Sequence, residues 1–362
     1  MTKRFWKGAA VVLCMMAMLL VGCGQSNVPT ESQVMQTITD CVGRQVEIPQ
    51  NPQRIAALDS FAGEAVVMAG GGEKLVTVPN GVRMDVLLRE LHPGLENVDV
   101  TMSGGAVNAE ALLSLQPDLA LVKAGLYANE AEMAKLDKLG IPYLVVKYTD
   151  MEGQLFAMDM IGQVLGGNEE ARMNQMSEYY REVIRQAKEI SATIPEDKRV
   201  RVYHAIHEAV RTDGNASLGQ DWINTVGAVN VSCMTEESGQ GDYTASVEQI
   251  YAWDPDVIIC NEADTAEYLR QNDKWQGLRA VREGRVYNIP VGATRWGQRG
   301  SLETFFAMLW LETTLYPEYY SCNLKQEVVD FYQNVLDYTL DDATYEQMLT
   351  GRGLRTVHGL NQ

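Results

Sequence analysis

The chain is short of positive charge. Its 362 residues carry 30 Lys and Arg against 48 Asp and Glu, a net charge of −18. So acidic a chain excludes nucleic acid as a partner, because binding polyphosphate needs clustered Lys and Arg. Histidine is scarce, at four residues, and the six cysteines include no Cys-x-x-Cys pair. A resident metal site or dithiol centre is therefore not expected. No apolar run reaches the roughly 20 residues that a membrane-spanning helix needs. Gly-x-Ser-x-Gly, His-Glu-x-x-His and Gly-x-x-x-x-Gly-Lys-[Ser/Thr] are all missing, and Gly70-Gly71-Gly72-Glu73-Lys74 lacks the phosphate-loop spacing. The chain is accordingly not read as an enzyme. What it has is bulk: 46% of its residues are hydrophobic, and its length suits about two domains with sizeable cores.

The N-terminus reads as an address. Lys3, Arg4 and Lys7 precede an uncharged apolar stretch over 9–22, which is the pattern of a signal peptide. Leu20-Val21-Gly22-Cys23 resembles a bacterial lipobox, with Cys23 as the lipidated residue. Residues 1–22 are then a lipoprotein signal peptide, and the polar stretch over 23–37 is a lipid-anchored tether. The expected location is the extracytoplasmic face of the cell membrane, held by a lipid anchor. Removal of the three bases leaves −21 on the rest of the chain. Cys260 sits in an apolar run and reads as buried; a Cys233–Cys322 disulfide stays open at this level.

Short apolar runs at 54–58, 74–78, 119–123, 142–147, 199–205, 256–260 and 285–290 alternate with helical patterns. Runs apolar on both faces suit parallel strands covered by helices, so the fold class is α/β. The stretch 168–194 has no Gly or Pro and ends at Pro195. As a helix it is about 40 Å long, more than a crossover within one domain needs. The expected architecture is two Rossmann-like α/β lobes joined by a single long α-helix. The N-terminal lobe covers 38–165, the connecting helix 166–195 and the C-terminal lobe 196–362.

The lobes echo each other. Asn-Ala-Glu-Ala-Leu-Leu at 108–113 leads to Pro117-Asp118 and a buried strand; Ser-Val-Glu-Gln-Ile-Tyr at 246–251 leads to Pro255-Asp256 and another. Glu110 and Glu248 hold matching places in the first helical turn, where the helix dipole favours a carboxylate.

With these features the sequence resembles the substrate-binding lipoproteins of ABC importers for ferric siderophores, haem and corrinoids (periplasmic binding protein class III). The resemblance runs over about 38–352. It rests on the opening hairpin at 38–49, on Pro52-Gln53-Arg54-Ile55, and on Glu64 preceded by Gly63 where the family shows a hydroxyl residue. Gly227-Ala228-Val229-Asn230-Val231 and the segment from Pro290 through Trp296, Ser301, Glu303 and Trp310 to Pro317 complete it. It implies a monomeric, non-enzymatic binder with no cofactor of its own. Such a protein carries an iron chelate, haem or corrinoid to an ABC permease and its ATPase. It also implies that Glu110 and Glu248 dock on arginines of the permease.

Ligand in a two-lobed α/β protein sits where the loops after the strands face each other. The expected ligand-binding residues are Arg83 and Lys123 from the N-terminal lobe, with Tyr203, His207, Arg211, Arg295, Trp296 and Arg299 from the C-terminal lobe. Arginine grips anionic oxygens in pairs, and Trp296 between two arginines is placed to stack on a flat ligand or to fill the core. Tyr127, Trp222 and Tyr243 are lesser aromatic candidates. His204 and His207 would share a helical face as a metal pair, or His204 is a satisfied strand-end residue. The alternative ligand is a small oxyanion such as molybdate, or a metal ion; Ser103-Gly104-Gly105 is a candidate backbone nest for an oxyanion. An extracytoplasmic enzyme is the third reading.

Overall fold

One sheet in each half of the chain organises the computed structural model, which describes residues 34–234 and 241–354. The signal peptide and Cys23 lie outside the described residues. The tether, expected to run to 37, is already a strand from Met35. That strand, β1 (Met35–Thr39), pairs antiparallel with β2 (Gln45–Pro49). The first lobe then contributes β3 (Ile55–Leu58), β4 (Leu75–Thr77), a small hairpin of β5 (Met102–Ser103) and β6 (Ala106–Val107), β7 (Leu119–Lys123) and β8 (Tyr143–Val146). Its main sheet is parallel, in the order β4-β3-β7-β8. The second lobe contributes β9 (Arg201–Ala205), β10 (Arg211–Thr212), β11 (Val229–Asn230), β12 (Tyr243–Thr244), β13 (Val257–Cys260) and β14 (Val286–Asn288). Its order is β12-β10-β9-β13-β14, with β11 also on β9; β10 and β12 are antiparallel and the others parallel.

Strand alternation sorts each sheet's side chains onto two faces. Ile55, Ala57, Leu119 and Leu121 join one core, and Val202, Val257 and Ile259 of the second lobe join the same one. Ala56, Leu58, Ala120 and Val122 face a separate outer core, as do Tyr203, Ala205, Ile258 and Cys260 in the second lobe. The shared core runs through the helices between the sheets and continues into Phe305, Phe306 and Phe331.

The long connecting helix expected over 166–195 is Gly167–Ser191, and the helix before it packs against it. Met151–Leu165 ends at Gly166, whose φ of 67° breaks the backbone, and Gly167–Ser191 then runs back alongside it. Tyr180 donates to Gln154 at 2.9 Å and Arg181 pairs with Asp159 at 2.5 Å across the two. Gly162 permits the close crossing, since a Cβ there would lie 3.0 Å from Met173.

The internal echo is structural as well. Asn108 caps Ala109–Ser114 and Ser246 caps Val247–Trp253 through a capping box. Gln116 and Asp254, each just before the Pro, hold φ of 45° and 39°. Asp118 then accepts from the backbone N–H of Arg54 at 2.9 Å, and Asp256 from that of Arg201 at 2.8 Å. Each Pro-Asp therefore fastens the start of one strand to its parallel neighbour. Cys41, Cys233, Cys260 and Cys322 are all free, so Cys233 and Cys322 are not joined.

Candidate functional site

Helix starts of the first lobe and loops of the second enclose a cleft of about 460 Å³. The first lobe lines it with Ser60, Gly81, Val82, Asp85 and Val86. The second supplies Glu262, Thr294, Arg295, Gln298, Arg299 and Arg352, among others. All three arginines belong to the second lobe. Each is held by carboxylate: Arg295 by Glu262 at 3.3 Å, Arg299 by Asp242 at 3.4 Å, and Arg352 by Asp264 at 3.3 Å and Glu267 at 3.1 Å. Arg299 and Arg352 are exposed, whereas Arg295 is largely buried and also donates to the carbonyl of Gly351 at 3.2 Å; at each, an anion competes with a carboxylate for the same donors.

The loop over 291–300 carries two of these arginines and is fastened on every side. Trp296 is fully buried, its ring 5.2 Å from that of Phe306. Trp222 donates to the carbonyl of Gly297 at 3.0 Å, and Tyr148 of the first lobe accepts from the N–H of Gly300 at 3.0 Å. Gly297 holds φ of 70°, and a Cβ there would meet Ala307 at 2.8 Å.

Arg295 and Arg299 therefore stand at the cleft, as read from the sequence, whereas Trp296 is corrected to a core residue. Tyr203 is corrected too. It faces the outer core, fully buried against Trp253, with its hydroxyl donating to the carbonyl of Ala209 at 3.0 Å. Neither ring can stack on a ligand. Arg83 bonds Asn80 at 3.0 Å beside the cleft without lining it. Lys123 ends β7 near Asp59, whose carboxyl burial pushes up to about 6 against the pull of that lysine. Arg211 lies on β10 against Thr244 at 3.4 Å, away from the cleft. His207 is exposed and lines a smaller pocket of about 160 Å³ with His204, Asp213, Asp242, Asn261 and Arg299.

That pocket is not a two-histidine metal site. His204 is buried with Nδ1 2.6 Å from Asp213 and Nε2 2.8 Å from Asn261, so both ring nitrogens are engaged. Burial opposes the charged imidazole, but the Asp213 carboxylate and the two hydrogen bonds outweigh it and raise the His204 pKa. Among the described residues no cluster of His, Cys, Asp and Glu could hold a metal ion. Arg352, Thr294 and Asp85 at the cleft escaped the sequence reading.

Residues 55–291 match the model of a family described as periplasmic binding protein. The chain belongs to the periplasmic binding protein family. Members bind solutes and are not catalysts. This periplasmic binding protein is similar to an uncharacterized ABC transporter substrate-binding lipoprotein, YvrC, of Bacillus subtilis, with 26% identity over 83% of this chain and 94% of that one. It is also similar to the molybdate-binding protein MolA of Haemophilus influenzae, at 24% identity over 87% and 95% of the two chains. The structure of MolA bound to molybdate superposes with a TM-score of 0.75 at 22% identity, covering 84% of this chain and 99% of that one. A periplasmic solute-binding protein of Veillonella parvula gives 0.74 at 23% identity, covering 90% and 99%. These likenesses fix the two-lobed binding fold with connecting helices.

Exposed Glu110 and Glu248 stand in the first turns of the two capped helices of the repeat.

Proposed function

We propose that this periplasmic binding protein is the extracytoplasmic solute-binding component of an ABC importer, anchored by lipid on Cys23. Its cleft takes a small oxygen-rich anion, of which molybdate is the first to test, and Glu110 and Glu248 dock the loaded protein on the permease. The observation that carries the ligand class is the wall of Arg295, Arg299 and Arg352 facing a first-lobe wall with no base on it. Guanidinium groups bind oxyanions through paired N–H donors. The likeness to a molybdate-binding protein supports the same reading.

An anionic ferric chelate is the second reading, favoured by the volume of the cleft. Its roughly 460 Å³ lies in the range of about 300–1,000 Å³ usual for organic ligands. Haem and corrinoids are less favoured, because Trp296 and Tyr203 are packed in the core.

The test is a titration of purified residues 24–362 with molybdate, tungstate, sulfate, a ferric catecholate complex and haem, followed by calorimetry and tryptophan fluorescence. Saturable binding of molybdate or tungstate over sulfate supports the oxyanion, and binding of the ferric complex alone moves the assignment to the chelate. Binding of haem alone, or of none of the five, refutes the anion reading.

A further inference from the structure

Beneath the arginine wall lie two carboxyl groups, one from each lobe. Glu64 belongs to helix Ser60–Met68 and Glu303 immediately precedes helix Thr304–Leu315. Both are wholly buried. They hold the same cleft residue from opposite sides: Thr294 donates its hydroxyl to Glu64 Oε1 at 3.2 Å and its backbone N–H to Glu303 Oε2 at 3.1 Å. Glu64 Oε1 also accepts from the N–H of Leu302 at 3.1 Å, and Glu303 Oε1 accepts from the Tyr332 hydroxyl. The next residue along the chain is Arg295. There is no slack at this point, since a Cβ on Gly292 would lie 2.5 Å from Glu303 Oε1.

The surroundings are acidic. Asp85, which precedes helix Val86–Leu91, faces both carboxyls; Tyr332 of helix Leu324–Leu336 faces Glu303, and Tyr148 after β8 faces Glu64. Glu64 Oε2 is buried without a hydrogen-bond partner. An ionised carboxylate in that position would be left largely uncompensated, whereas a neutral carboxyl is tolerated at far lower cost. Burial first, and the neighbouring Glu303 second, raise Glu64 well above the ordinary carboxyl range; burial lifts Glu303 to about 7.

We propose that Glu64 and Glu303 are positioning residues for the ligand: as neutral carboxyls they clamp the 294–299 loop to both lobes, and loss of a proton from the pair weakens anion binding in the cleft. The coupling to ligand rests on the anion reading above. Its cause is electrostatic: a new negative charge under Thr294 repels the anion held by Arg295. Linkage makes the effect reciprocal, so binding of an anion near neutral pH takes up protons.

The experiment has a ligand-free arm and a binding arm, both on residues 24–362. Difference infrared spectra between pH 6 and pH 8 are expected to show loss of a protonated carboxyl band that is missing from Glu303→Gln. Calorimetry with molybdate is expected to show affinity falling on the order of tenfold over that range, with proton uptake at pH 7 revealed by buffers of different ionisation enthalpy. In Glu303→Gln the fall shrinks below about twofold and the uptake disappears, since the amide does not titrate there, whereas in Glu64→Gln both persist because Glu303 still titrates. If those variants do not fold, Thr294→Val is read: it keeps both carboxyls and the infrared band, and lowers molybdate affinity at pH 6 severalfold. No titrating band, a wild-type pH slope in Glu303→Gln, or unchanged affinity in Thr294→Val overturns the proposal. Failure of the anion reading looks different. Wild type then binds molybdate at no pH while the band still titrates, which refutes the coupling to anions and retains the protonated pair.

Discussion

In each lobe a capped helix with an exposed glutamate passes through a left-handed residue and a Pro-Asp pair into a buried parallel strand. At the cleft the two lobes differ. The first lobe offers Ser60, Gly81, Val82, Asp85 and Val86; the second offers Arg295, Arg299 and Arg352, each paired with a carboxylate. The repeated part lies in elements whose geometry is local and symmetric, as docking at two points requires. The unlike part lies in short helices and loops outside the sheets, where side chains can differ without disturbing the strands.

The comparison is open to breakage at several strengths. The largest effect is expected from the repeated part: Glu110→Ala with Glu248→Ala should abolish solute uptake in cells while leaving ligand affinity in solution unchanged. Uptake at the wild-type rate would remove docking from both helices. Next comes the unlike part. Arg295→Ala should weaken anion binding by about tenfold to a hundredfold, the worth of a charged hydrogen bond. Arg83→Ala and Lys123→Ala should each change it by less than about twofold, because neither lines the cleft. Equal losses by calorimetry in all three would mean that the first lobe binds as well.

A smaller effect concerns stability against pH. Burial lifts Glu312 to about 8, so the folded chain holds this proton more tightly than the unfolded chain, whose carboxyl titrates near 4.5. Its stabilisation is fully present below about 4.5 and is lost as pH rises through about 8. Glu312→Gln, neutral at every pH, should therefore raise the melting temperature at pH 8 and change it little at pH 5. A larger gain at pH 5 would reverse the sign of this argument. The smallest effect is expected at Tyr203. Tyr203→Phe removes one buried hydrogen bond, worth about 1 kcal/mol of stability by denaturant titration, and should leave anion affinity unaltered.

Much of the fold was legible because its signals are local. The seven apolar runs at 54–58 through 285–290 correspond to β3, β4, β7, β8, β9, β13 and β14. The Pro-Asp repeat announced two like units. The start of the long helix was legible at Gly166-Gly167, but the helix before it, Met151–Leu165, was read only as part of the first lobe. The site was half legible. Arg295 and Arg299 stand out as bases in an acidic chain, but periodicity does not tell which face of β9 meets the cleft, and Tyr203 faces the other core. Trp296 lies between two cleft arginines in sequence and still turns inward, where its ring packs on Phe306. Arg352 is remote in sequence, and the Glu64–Thr294–Glu303 contact joins residues more than 200 positions apart. Such a contact exists only once both lobes have folded against each other.

The most direct test of the arginine wall is anomalous diffraction at the molybdenum edge from crystals of residues 24–362 grown with molybdate at pH 6. The account predicts one strong peak in the cleft within contact of Arg295, Arg299 or Arg352. A peak beside Arg83 or Lys123, a peak in the His204 pocket, or no ordered molybdenum at saturating molybdate would contradict it.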